Sequence, residues 1–467
     1  MDSRPQTPAL TFFDQLLTLL VDAAAQLSPD SALSRQLREA HSAAANVSPI
    51  VLLSGLRSVG KSSLVCSLWG DSELLPTAER DCTQTNTLIR PPGESEDDRH
   101  IRLAYLTRDA ATGYAARGLA FHHLAELVSE TLGPLGPRLD EGSAEERLRK
   151  AVSIVKKIFA EKPKLAVLHE NFTDDLREIE QLLAFLDSEQ FREGQRVEAK
   201  WSGRREHLMG LRHPDGRTLD VGPLLALQHV ELVRESSRWG RLIPRLIDTP
   251  YVPAFHNARR ADLILDQACR ADILLIVARP ELFTPEDWVQ AFFKERPELA
   301  ARTLVVFNQI DTVDLTQLFG RDGFAFAFEK NLQRLNELRI KPQNIFVSCA
   351  RLPFLVNAQQ SAAENAASIG ERIAKLRGVL ERIRKQTESK PASVLKERLL
   401  QACDENDCGI ESLRARIHAL SLELLLKRGA ADALSAIRKS PELSTDVALQ
   451  ARTAELLDKM PGPKSLF

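Results

Sequence analysis

Gly55-Leu56-Arg57-Ser58-Val59-Gly60-Lys61-Ser62 fits the pattern G-x-x-x-x-G-K-[ST]. A short apolar run, 49–54, leads into it, and a helical run, 63–68, leads out. Binding a phosphate needs that order of strand, glycine loop and helix. Gly55 and Gly60 let the backbone wrap an anion, so that successive N–H groups and a helix N-terminus face it. The nucleotide-binding set expected here is Gly55, Ser58, Val59, Gly60, Lys61, Ser62 and Ser63. Lys61 would bring its ammonium to the β- and γ-phosphates, and the Ser62 hydroxyl would ligate Mg²⁺.

Other strand ends complete the pattern. Asp248 closes the apolar pair Leu246-Ile247. An aspartate at a strand tip is by itself most often a turn or a helix cap. Together with the loop at 55–62 it reads as a second metal-side group, holding Mg²⁺ through water. Asn308-Gln309-Ile310-Asp311 follows the run 304–307. A carboxylate there can accept from guanine N1–H and the exocyclic amine, which adenine cannot offer. Ser348-Cys349-Ala350 ends the next strand and would set backbone amides near guanine O6. Their order along the chain points to GTP and away from ATP.

Around these motifs, extended runs at 225–233, 242–247, 271–277, 303–307 and 344–347 alternate with helical ones. Such alternation implies an α/β fold with a mainly parallel sheet covered by helices. The runs 85–90 and 100–107 flank a polar stretch with Pro91-Pro92-Gly93 and predict an antiparallel hairpin, with the acidic residues 94–98 as its solvated tip. Residues about 110–215 read as a helical insertion. Beyond 355 the chain reads as helix. The stripes Ile369, Ile373, Leu376, Leu380, Ile383 and Ile410, Leu413, Ile417, Leu420, Leu424 predict two helices packing on each other and on the N-terminal helix. The expected units are N-terminal helices over 1–46, a nucleotide-binding domain over 47–350 and a helical neck and tail over 351–467.

At 43% hydrophobic and 27% charged residues, the composition is that of a soluble globular chain. A net charge of −2, with the two signs mixed throughout, gives no basic face for nucleic acid. The six cysteines are scattered, which suits a reducing, cytoplasmic setting; Cys403 and Cys408 read as free thiols near a helix start. The apolar cluster 12–21 is broken by Asp14 and Gln15, with no basic leader, and reads as a helix and not as a signal peptide. Membrane contact, if the chain makes any, is expected to be peripheral.

Leu74-Leu75-Pro76-Thr77, then Cys82-Thr83, resembles the first switch of dynamin superfamily GTPases, bacterial dynamin-like proteins in particular. The resemblance extends to Ser58 in the loop, Asp248-Thr249-Pro250, Asp311 with Asp314, and Gly409-Ile410-Glu411-Ser412-Leu413. It implies a GTPase fold with a helical neck drawn from both termini, and hydrolysis of GTP to GDP and phosphate. By resemblance, Thr83 closes over the γ-phosphate and Mg²⁺ and positions the attacking water, Ser58 holds a monovalent cation, and Asp314 belongs to the base site. Facing GTPase domains, in a homodimer or a hetero-assembly with another dynamin-like chain, are implied in the same way.

This chain also departs from that pattern. Arg57 stands where dynamin has glutamine, and is a candidate catalytic arginine supplied in cis. Tyr251 replaces the second-switch glycine, Gln309 the usual lysine beside the base, and Ala78 the first-switch glycine. Only 117 residues follow Ala350, too few for a full stalk. A second reading is therefore a nucleotide-binding module that hydrolyses little and works with a partner chain.

Overall fold

The computed structural model describes residues 8–459 apart from 46–47, 56–57, 76–85, 94–95, 134–137, 165–169, 204–206, 209–210, 213–218, 237, 241, 250–266, 269, 280–292, 294–296, 317, 322, 362–365 and 427–429. Its strands are β1 (Ile50–Gly55), β2 (Thr87–Arg90), β3 (His100–Tyr105), β4 (Arg196–Ala199), β5 (Leu211–Arg212), β6 (Leu219–Asp220), β7 (Leu227–Val233), β8 (Arg245–Asp248), β9 (Ile273–Ala278), β10 (Thr303–Phe307) and β11 (Ile345–Val347). Nine form one sheet in the order β11-β10-β9-β1-β8-β2-β7-β3-β4, and β5 pairs with β6 apart from it.

The run β11-β10-β9-β1-β8 is parallel throughout. β9 and β11 are apolar along their whole length, and β10 apart from Thr303, because both faces are covered: every residue of β9, β10 and β11 is buried. The fold is α/β, as expected. Parallel pairing has a chemical consequence, since the loops after β1, β8, β10 and β11 all leave the same edge of the sheet.

The far half differs from the expected hairpin. β2 and β3 do not pair with each other; β7 lies between them, parallel to β2 and antiparallel to β3. Sequence proximity suggested a hairpin, but β7, with Val230, Leu232 and Val233 fully buried, is the more apolar partner for both. Of the acidic run, Glu96 and Asp98 are not free either. Glu96 pairs with Arg90 and Arg102, and Asp98 binds Arg234 and the Glu235 backbone N–H. Glu231 is only 3% exposed and joins Arg90 and Arg102. Burying that carboxylate without its cations would cost several kcal/mol, on the order seen for broken buried pairs.

The helices are α1 (Pro8–Ala25), α2 (Ala32–Ala45), α3 (Lys61–Trp69), α4 (Arg108–Ala116), α5 (Leu119–Leu132), α6 (Ala144–Glu161), α7 (Glu170–Leu186), the single turn α8 (Gly222–Leu225), α9 (Phe324–Glu337), α10 (Arg351–Ser361), α11 (Ala366–Glu388), α12 (Val394–Ala402), α13 (Ile410–Leu425), α14 (Ala431–Lys439) and α15 (Val447–Lys459). Helices α4–α7 fill the insertion and share a core of their own, with Leu124, Leu148, Val155 and Leu182 fully buried. Ser143 and Glu146 start α6 with a reciprocal capping box. The insertion also holds β4, which helical periodicity missed because its residues alternate between exposed and half-buried at the sheet edge.

The two late apolar stripes have different main partners. Ile373, Leu376, Leu380 and Ile383 of α11 are buried against α10 and α12, beside the sheet. Helix α13 instead runs from α3 to α1. Its last residues, Leu422 and Leu425, join Leu16, Leu20 and Leu37 from the first two helices and Leu434, Ile437 and Leu456 from the last two. Spacing reveals a seam but not the helix that fills it. Among the described residues no helix is long and apolar enough to cross a membrane.

Candidate functional site

The loop after β1 turns tightly. Gly55 has φ +157°, and a Cβ there would stand 2.0 Å from the Val277 carbonyl oxygen of the neighbouring strand. Gly60, at φ +81°, N-caps α3, and a Cβ there would stand 2.6 Å from Asn308 Nδ2. Ser58 is left-handed as well, at φ 55°. Glycine is needed at 55 and 60 because a side chain at those angles would meet the Val277 backbone in the first case and the Asn308 side chain in the second. Val59 is 1% exposed and pins the loop to the core.

Lys61 opens α3, is 9% exposed and donates from Nζ to the Gly55 carbonyl at 2.7 Å, folding across the loop's mouth. Ser62 Oγ donates to Asp248 Oδ2 at 2.9 Å. Asp248 is fully buried at the end of β8, and Thr249 after it anchors through Oγ1 to the Leu53 carbonyl at 2.7 Å. A hydroxyl and a carboxylate in that contact are hard oxygen donors. They suit a cation that takes its other ligands from water and phosphate, as Mg²⁺ does. Ser63 is half-buried in the first turn of α3.

Asn308 is the cross-tie. Its Nδ2 donates to the Val59 carbonyl at 3.0 Å and the Gly60 carbonyl at 3.4 Å. Its Oδ1 accepts from Ser348 Oγ at 3.0 Å and the Ala350 N–H at 3.1 Å. One buried side chain thus joins the loops after β1, β10 and β11. Gln309, left-handed at φ 66°, adds Nε2 to the Ser58 carbonyl at 3.0 Å.

Asp311 follows, its side chain 2% exposed. Cys349 Sγ donates to its Oδ1 at 3.4 Å, and Arg351 stands 3.8 Å from Oδ2. Burial, then the charge of Asp311, push the Cys349 thiol well above its ordinary range, so it stays protonated and can donate. Cys403 and Cys408 are free, buried, and pushed up to about 12, mainly by burial. Asp314 is exposed. Its Oδ1 accepts from Thr316 N–H at 2.9 Å and Thr316 Oγ1 at 2.8 Å, and the backbone bond chiefly holds its pKa below the usual value. In this structure Asp314 shapes a turn.

Of the expected site residues, Gly55, Ser58, Val59, Gly60, Lys61, Ser62, Ser63, Asp248, Asn308, Gln309, Asp311, Ser348, Cys349 and Ala350 lie on strand ends, loops and helix starts at one sheet edge. Arg57 and Thr83 lie outside the described residues, as does Tyr251. Two cations at the site were missed by sequence reasoning. Arg279, just past β9, donates from Nη2 to the Ser58 carbonyl at 3.3 Å, and Arg351 stands beside Asp311. The signal for Arg351 was its place directly after Ala350. Arg279 carried none, because only the pairing of β9 with β1 sets it beside the loop.

The site is also braced from behind. Ser67 Oγ in α3 donates to the Ala350 carbonyl at 2.7 Å. Arg414 of α13, 4% exposed, donates to the Ser67 and Leu68 carbonyls at 3.3 and 3.1 Å near the C-terminus of α3. Gly409, at φ +74°, caps α13 where a Cβ would stand 2.1 Å from the Val347 carbonyl.

No family model matches the chain, and no curated protein sequence matches it. Two solved structures of an oligomerised bacterial dynamin pair, described as sensing and tethering membranes over long range, are similar to it. One is 13% identical over 97% of this chain and 52% of its own, with a TM-score of 0.44. The other is 14% identical over 97% of this chain and 72% of its own, also with a TM-score of 0.44. The chain spans about half the length of the first. Similarity at that level leaves the chemistry to be argued from the residues themselves.

Proposed function

We propose that this chain binds GTP and hydrolyses it to GDP and phosphate with Mg²⁺. The observation that supports this best is Asn308 joining the loop after β1 to the loops that carry Asp311 and Ala350. A triphosphate grip and a guanine-selecting carboxylate are then parts of one site.

In this reading the backbone N–H groups from Ser58 to Ser63 hold the β- and γ-phosphates, and the Lys61 ammonium moves from the Gly55 carbonyl onto them. Ser62 and Asp248 would hold Mg²⁺, which would supply positive charge against that developing on the phosphate oxygens. Asp311 accepts from guanine N1–H and the exocyclic amine, which fixes the base and, through it, the direction of the triphosphate. Thr83 positions the attacking water. No side chain forms a covalent intermediate; placement and electrostatics lower the barrier. Two copies facing each other across their nucleotides, or one copy facing a related chain, would complete the surroundings of the γ-phosphate. Contact with a membrane, if the chain makes one, is peripheral.

The test is phosphate release from stoichiometric GTP at low and high protein concentration, with and without Mg²⁺ and with excess ATP. Release that needs Mg²⁺, rises per molecule with concentration and resists ATP supports the whole reading. Tight GTP binding with negligible release at either concentration would leave only the binding-module alternative. ATP competing as well as GTP would remove the role of Asp311.

A further inference from the structure

Gln309 brings an uncharged amide to the junction between the phosphate-side loop and the base-side loop. The structure brings a cation to the same point. The Ser58 carbonyl oxygen accepts from two side chains at once: Gln309 Nε2 at 3.0 Å and Arg279 Nη2 at 3.3 Å. Both donors therefore lie within hydrogen-bond reach of one carbonyl oxygen, a contact between the loops beyond those that Asn308 makes to Val59 and Gly60.

We infer that Arg279 supplies the positive charge that the Gln309 amide does not, making it a nucleotide-affinity residue of this site. The inference rests on the guanine-nucleotide reading above. Three observations carry it. First, Arg279 follows β9, which pairs in parallel register with β1 up to Gly55↔Val277, so the arginine leaves the sheet beside the loop. Second, its side chain is exposed, and a guanidinium has five N–H donors in a rigid plane, leaving donors beyond the one spent on Ser58. Third, the Gln309 amide already takes a place on the same oxygen, so the glutamine keeps the bond between loops and the arginine adds the charge.

A cation at that oxygen acts in two ways. It pulls on the carbonyl that holds Ser58 in its left-handed turn, steadying the loop for its anion. It also leaves guanidinium N–H donors beside the loop, available to a nucleotide seated there.

The experiment compares GDP and GTP affinity, by calorimetry and with a fluorescent GDP analogue, in four full-length proteins: unaltered, Arg279→Ala, Gln309→Lys and the double variant. Melting temperature without nucleotide is read alongside. Arg279→Ala should weaken binding about tenfold, the scale of one charge-assisted contact. Adding Gln309→Lys to it should bring affinity back to within about twofold of the unaltered chain, whereas Gln309→Lys alone should gain little, since the charge is already present. Binding unchanged by Arg279→Ala overturns the inference. So does a loss that Gln309→Lys leaves unrepaired while the melting temperature holds. An unaltered chain that binds neither nucleotide overturns the functional reading itself, and the inference with it.

Discussion

The Asn308 side chain and the Val59 carbonyl are 249 residues apart in the chain and 3.0 Å apart in space. Because the same amide also accepts from Ser348 and Ala350, its loss would orphan several groups at once. Asn308→Ala is expected to lower unfolding free energy by about 2–4 kcal/mol, the range for uncovering more than one buried polar group. Nucleotide affinity should fall as well, since the phosphate and base loops would no longer share a brace. Chemical denaturation and GDP calorimetry on the same preparation check both; a variant as stable as the unaltered chain would show the cross-tie to be idle.

Asp311 should set which base is accepted. Asp311→Asn keeps the shape but turns one acceptor into a donor facing guanine's own N–H groups. GTP affinity should drop by about tenfold to a hundredfold, the worth of hydrogen bonds to a charged group. ATP affinity should stay where it was, and xanthosine triphosphate, which offers acceptors in the matching place, should gain. Equal losses for GTP and ATP would point to a collapsed loop.

Much of this was legible in the sequence for a physical reason. The positive φ of Gly55 and Gly60 is local geometry, and local geometry is written in adjacent residues. Parallel core strands such as β9 and β10 showed as unbroken apolar runs because both their faces are covered. The unread features depend on which distant strands become neighbours. The pairing of β7 with both β2 and β3, the capture of Glu96 and Asp98 by arginines, and the arrival of Arg279 at Ser58 leave no local pattern. Asp314 shows the opposite case, where a spacing match to the base motif meets a side chain folded onto Thr316.

Gly60 and Gly378 make a matched pair of tests. At Gly60, φ is +81° and a Cβ would press on Asn308 at 2.6 Å, so Gly60→Ala should destabilise by about 1–3 kcal/mol and cut nucleotide binding. At Gly378, inside helix α11, a Cβ meets nothing within 4 Å. Gly378→Ala should stabilise by up to about 1 kcal/mol through helix propensity and leave binding alone. Thermal melts of the two variants, with and without GDP, separate the effects; stabilisation at position 60 would contradict the loop geometry.

Arg57 offers a kinetic test. If it serves the transition state in cis, Arg57→Ala should slow single-turnover hydrolysis by about a thousandfold with GTP affinity little changed. A rate within about threefold of the unaltered chain would remove Arg57 from the catalytic set.

His418 should make stability depend on acid. It lies 1% exposed in α13, edge-on to Trp239 at 5.2 Å, with the Arg414 guanidinium over the same indole. Burial first, and then the charge of Arg414, lower its pKa to about 4, partly offset by a hydrogen bond with the Trp239 backbone. The folded chain therefore keeps this ring neutral where the unfolded chain, with a pKa near the ordinary 6.5, takes up a proton. Between those values the unfolded state binds more protons, so stability rises with pH and is lost as pH falls from about 6.5 toward 4. From pH 7 to pH 5 the loss should be about 2 kcal/mol, growing to about 3 kcal/mol below pH 4. His418→Gln removes the titrating group and should flatten that part of the profile, whatever it does to stability at pH 7. Denaturation midpoints every half pH unit give the comparison, and identical slopes in the two proteins would mean that the acid sensitivity comes from another group.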